Sequence, residues 1–136
     1  MFYPNIDGAI RMQELAPGWT MEVERGPDWI FVRLHASDEP RSHDFPLAEG
    51  LWSLLRQHFS SRMVLEMEDV PRLGSFLIGQ LVQLHKRVNT SGGIVRLSGL
   101  SDGNQQALAA SRLDERFPQF GCRDDAIRGE APRNPR

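Results

Sequence analysis

The sequence predicts an α/β fold: a small mixed β-sheet, an N-terminal antiparallel hairpin followed by parallel strands, packed with about four helices. Three observations carry that expectation. Segments 20–25 and 29–36 alternate apolar and polar residues about a Gly26-Pro27-Asp28 turn, the pattern of a two-stranded hairpin. Residues 63–97 read as strand, turn, helix, Gly-Gly stop and strand, with runs of the length a βαβ unit requires. A Ser-Asp pair at 101–102 then opens another helical segment before the short apolar run 117–120.

Taken in order, residues 1–18 show weak periodicity and end at Pro17-Gly18, so they are read as an extension whose Phe2 and Tyr3 pack on the domain edge. The domain proper is assigned to 19–128. Met21 and Val23 alternate with Thr20, Glu22 and Glu24 in the first strand. Ile30, Val32 and Leu34 share one face of the second. Residues 37–44 are polar, contain Pro40 and form a loop. Pro46 suits a first helical turn, after which Leu47, Leu51, Leu54, Leu55 and His58 fall on one face. His58 is read there as packed or half-exposed. Met63–Met67 is an apolar strand interrupted by Glu66. Leu77, Leu81, Leu84 and Val88 form the stripe of the next helix, which Ser91-Gly92-Gly93 ends. Ile94, Val95 and Leu97 make a strand, and Ser101 or Asp102 caps a helix with Leu108 and Ala109 facing inward, ending near Leu113. Residues 117–120 are a last short strand, 124–127 at most a helical turn, and 129–136 a polar, Pro-containing tail.

Composition narrows the function. A chain of 136 residues supports one domain with a proper core. The formal net charge of −2, with basic residues scattered along the chain, does not suit a nucleic-acid binder. Lys86 is the one lysine and lies in no Gly-rich loop, which excludes a P-loop. Cys122 is the one cysteine, so an internal disulfide and a cysteine-based metal cluster are excluded, and a reducing cytoplasm is the expected compartment. The start has no basic segment leading into an apolar run, and no apolar stretch approaches the roughly 18 residues of a membrane span. His35, His43, His58 and His85 show no metal-ligand spacing, and Gly74-Ser75 lacks the remaining glycine of a nucleophile elbow. Glu66 has no convincing acid–base partner and is read as a strand-end carboxylate, hydrogen-bonded or solvated. The expected protein is therefore not an enzyme, and no cofactor is expected.

What remains is Ser75, where the turn enters the helix. A serine there either caps the helix or stands in its first turn, or it is a phosphoacceptor whose phosphate would meet helix amide groups. Gly74 either satisfies a tight backbone geometry or marks the loss of a carboxylate. Phe76 is either an exposed anchor for a partner or a side chain folded against the preceding helix.

The segment Val70–Leu81, V-P-R-L-G-S-F-L-I-G-Q-L, with the later S-G-G-I-V-R-L and S-R-L-D-E-R-F, resembles the STAS domain of bacterial anti-sigma factor antagonists over residues 20–127. The resemblance puts Glu66 on the family's strand aspartate, Ser75 on the serine that a partner kinase phosphorylates, and Gly79 and Leu81 on the helix Gly and Leu. Gly74 stands where the family pattern has aspartate, Phe76 where it has a second serine, and Leu77 where it has glycine. The resemblance implies a STAS-like fold and a partner-binding surface of Arg72, Gly74, Ser75 and Phe76, with the 38–44 loop that carries His43. The implied partner is an anti-sigma factor of the serine-kinase type, with other STAS proteins as further candidates. The alternative it allows is a phosphorylation-independent scaffold, or a subunit of a stress-sensing or lipid-transport complex.

Overall fold

The computed structural model describes residues 10–37 and 45–129. They form β1 (Ile10–Ala16), β2 (Trp19–Arg25), β3 (Ile30–Ala36), α1 (Leu47–Gln57), β4 (Arg62–Asp69), α2 (Ser75–Thr90), β5 (Ile94–Ser98), α3 (Asp102–Ala110), β6 (Gln119–Phe120) and α4 (Arg123–Arg128). One six-stranded sheet runs in chain order. β1, β2 and β3 pair antiparallel, and β3, β4, β5 and β6 pair parallel. This is the mixed α/β architecture the sequence predicts.

Each parallel step needs a crossover, and crossovers of one hand place their helices on one face of the sheet. Accordingly the stripes of α1 (Leu47, Leu51, Leu54, Leu55) and α2 (Leu77, Leu81, Leu84, Val88), with Leu108 of α3, bury against Met21, Val23, Ile30, Val32, Leu34, Met63, Leu65, Met67 and Leu97. Burying a side chain of this kind stabilises the fold by roughly 1.5–3 kcal/mol. The alternate residues Phe31 and Val64 point to the other face, where Trp29, Phe120 and Ala126 complete a smaller apolar cluster under α4. The turn between α2 and β5 explains the double glycine. Gly92 adopts φ +85°, and a Cβ on Gly93 would lie 2.3 Å from the Ser61 carbonyl oxygen.

The structure departs from the sequence reading in five places. Residues 10–16, within the segment read as an extension, form β1, so the 20–36 hairpin is not at the sheet edge. Arg11 to Glu14 are exposed, so β1 carries no alternating burial signal and is held chiefly by main-chain pairing with β2. Ala109 is exposed, and the inward positions of α3 belong to Leu108 and Asn104. That helix stops at Ala110, with Arg112 left-handed at φ 59°. The last strand shrinks to two residues, and the final turn becomes the six-residue α4. The expectations for Phe2, Tyr3, the tail from residue 130 and the loop carrying His43 lie outside the described residues.

Candidate functional site

The loop from β4 to α2 is built by alternating anchors. Val70 and Leu73 are buried, while Pro71 and Arg72 between them are exposed. Asn104, only 3% exposed, fixes both anchors. Its Oδ1 accepts from the Leu73 N–H at 2.9 Å, and its Nδ2 donates to the Val70 carbonyl at 2.9 Å. Asn104 is itself positioned by the N-cap of α3, where its N–H donates to Ser101 Oγ at 3.1 Å. A second tie sets the neighbouring wall. Pro46 gives α1 no side-chain cap, and Gln80 of α2 supplies one, accepting from the Ala48 N–H at 2.8 Å. The N-terminal ends of α1 and α2 are thereby held side by side.

Between them opens a cleft of about 420 Å³, lined by Trp19, Phe45, Arg72, Ser75, Phe76 and neighbouring main chain. Its floor is an aromatic row. The Trp19 and Phe45 ring centroids lie 5.3 Å apart, and those of Phe45 and Phe76 lie 6.2 Å apart, both tilted. Aromatic rings at this centroid spacing attract one another.

Ser75 is the first residue of α2 and is exposed. It is not the cap: Gly74 is the N-cap residue, and no side chain caps the helix. The opening amides of α2 therefore keep unsatisfied hydrogens and a positive dipole end beside the cleft. Gly74 has φ −83° and ψ 173°, and a Cβ there would meet nothing within 4 Å. Tight geometry thus does not explain this glycine, since a Cβ fits there without strain. Phe76 is half-buried, packed on Phe45 while lining the cleft. Arg72, Gly74, Ser75 and Phe76 share one surface, and His43 lies outside the described residues.

Glu66 is not part of this surface. It follows the parity of Val64 onto the other face of the sheet and is 3% exposed. There Arg123 of α4 holds it with two guanidinium contacts of 2.7 and 2.9 Å and reaches Glu24 at 3.0 Å. Its planar cation lies 4.1 Å from the Phe31 ring centroid. The bound carboxylates raise the Arg123 pKa further, with burial opposing, so it stays cationic at every working pH. On the same face His35 sits between Glu22, through Nε2, and Asp69, through Nδ1. The bonds of Arg123 to Glu66 and Glu24 clamp α4 to the sheet. Sequence reasoning missed Arg123 and Asn104 because their partners lie 57 and about 30 residues away in the chain.

Among the described residues no helix is long and apolar enough to cross a membrane, and no three His, Cys, Asp or Glu side chains group as metal ligands. A family model for the STAS domain matches residues 20–126. Among solved structures, an anti-sigma factor antagonist from Mycobacterium paratuberculosis is similar at TM-score 0.65 and 16% identity, covering 93% of this chain and 97% of that one. A Thermotoga maritima protein described as a candidate anti-sigma factor antagonist gives TM-score 0.61 at 17% identity, with 79% and 91% of the two chains covered. Moorella thermoacetica RsbS, in a serine-to-glutamate variant, gives 0.60 at 14% identity over 78% and 93%. A search of the curated proteins finds no sequence match.

Proposed function

The chain belongs to the STAS domain family, and from that premise we propose that it is an anti-sigma factor antagonist, binding a serine-kinase-type anti-sigma factor through the cleft at the start of α2. Ser75 is the switch. Unmodified, it leaves the cleft open to the partner. Phosphorylated, it brings about −1.5 to −2 charge and added bulk to the cleft rim. The role is regulatory rather than catalytic and is exercised in the cytoplasm. The observation that carries the reading is the placement of Ser75: exposed, on an uncapped helix N-terminus, beside an aromatic-floored cleft. The helix end tolerates the phosphate, since its free amides can donate to it, so the modification is felt at the surface and not in the fold. Phe76 and Phe45 supply the apolar anchor region that a partner helix or loop would cover.

A second reading is supported by Gly74. Without the family's aspartate beside the serine, the same surface can serve a phosphorylation-independent scaffold, or a subunit of a stress-sensing or lipid-transport complex.

The test is incubation with the cognate anti-sigma kinase and ATP, followed by phosphate mapping by mass spectrometry and affinity measurements on variants. Label on Ser75, loss of binding in Ser75→Asp and constitutive binding in Ser75→Ala are expected. Phe76→Ala should weaken binding by more than about 1 kcal/mol. Label elsewhere, or none while another STAS protein is modified in parallel, rejects the switch and leaves the scaffold reading.

A further inference from the structure

The opposite end of β4 carries a feature that folding does not explain. Helix α1 closes with the Ser60 N–H donating to the Leu55 carbonyl at 3.0 Å, which places residue 59 in the left-handed region at φ 51°. Glycine is the residue this position favours. Glycines stand in the left-handed region just past α2 and α4, Gly92 at 85° and Gly129 at 73°. Arg112 takes a similar conformation after α3, but its charged side chain is at home in water. Phe59 is 95% exposed. It is unfavourable twice, in its backbone and in its bare aromatic surface.

Its surroundings are basic. Phe59 rims a shallow pocket of about 350 Å³ between the β2–β3 turn and the α1–β4 turn, lined by Arg25, Asp28, Trp29, His58 and Arg62 among others. Among the described residues, Arg25, Arg62 and nearby Arg11 make no ion pair. Asp28 is the one acidic residue in the lining. Partial burial, then the charges of Arg25 and Arg11, push the His58 pKa down, in keeping with the basic setting of this pocket.

We propose that this end is a second protein-docking surface, taking an acidic segment of a partner in which carboxylates lie between Arg25 and Arg62 and a neighbouring apolar side chain covers Phe59. Aromatic and arginine side chains are the common anchors of protein interfaces. A bilayer fits less well. Three arginines offset by an aspartate fall below the roughly 4–8 basic residues of an anionic-lipid patch, and one Phe is a weak membrane anchor. The surface is also concave. It lies roughly 20–25 Å from Ser75 along β4, from a rise of about 3.3 Å per residue, so both ends can be occupied together.

The experiment is selection of a random peptide display library on the full chain, followed by titration of a selected peptide. Enriched peptides should carry several Asp or Glu around a Leu, Ile or Phe, and added salt should weaken their binding. Phe59→Gly should lower affinity by about tenfold or more while raising the melting temperature, a pairing that loss of structure cannot produce. Phe59→Asn, also tolerant of the left-handed region, is the second variant, and Arg25→Glu with Arg62→Glu should abolish binding. Selected peptides without acidic bias, or unchanged affinity in the Phe59 variants, overturn the proposal. Binding to phosphatidylcholine–phosphatidylserine vesicles in preference to the peptides also overturns it, in favour of a lipid surface.

Discussion

Replacing Asn104 with alanine removes the acceptor of the Leu73 N–H and the donor to the Val70 carbonyl together, both bonds of 2.9 Å. Each main-chain group left without a partner in a dry site costs about 1–3 kcal/mol. Val70 and Leu73 are 1% and 5% exposed, so the sites begin dry. Pro71 and Arg72 between them are exposed, so some of the freed main chain can turn toward water. A loss of about 2–4 kcal/mol follows. At roughly 4 °C per kcal/mol for a domain of this size, the melting temperature should fall by about 8–16 °C. Urea denaturation gives the free energy, with an unchanged slope as the check that the unfolded state is the same. Hydrogen exchange at the Leu73 amide localises it: protection should be lost there first. Asn104→Asp separates the halves. It keeps an acceptor for Leu73 but sets an oxygen against the Val70 carbonyl, so stability should fall while Leu73 stays protected. A loss below about 1 kcal/mol in Asn104→Ala, with Leu73 still protected, refutes the assignment of Asn104 as the anchor of the loop.

Arg123→Met strands the buried Glu66 with only Arg33, 3.5 Å away, and should cost about 3 kcal/mol; Glu66→Leu in the same chain should recover most of it, read by urea denaturation. Ser75→Ala should change stability by less than about 0.5 kcal/mol, because Ser75 caps nothing. Gly74→Asp, which meets no neighbour, should add a few tenths to about 1 kcal/mol by capping α2, seen as a higher melting temperature. Burial, then the charge of Arg116, holds the His85 pKa below its usual 6.5. The unfolded chain therefore protonates first, so the His85 contribution is complete above pH 6.5 and lost as pH falls from there through the lower folded value. A stability–pH series should show that decline, and His85→Gln should make it shallower, leaving the share of His58, whose pKa is also lowered.

The sequence by itself determined the parts whose signal is local. The hairpin, the α1 and α2 stripes, the Ser-Gly-Gly stop and the position of Ser75 at a helix start all rest on burial periodicity or turn chemistry within a few residues. Where burial does not alternate the signal fails: Arg11 to Glu14 of β1 are all exposed, and Asn104 takes an inward place that its side chain does not advertise. Tertiary structure decided what each polar residue does. In the sequence Ser75 reads as a cap, a first-turn residue or a phosphoacceptor, and only the backbone at Gly74 shows that it caps nothing. Glu66 looked like a carboxylate near the loop, and strand parity sends it to the other face, where Arg123 meets it across the chain. Phe59 gave no sign in the sequence of being bare and left-handed. Burial periodicity is written along the chain, whereas the partner of a polar group is chosen by which distant elements the packed sheet brings together.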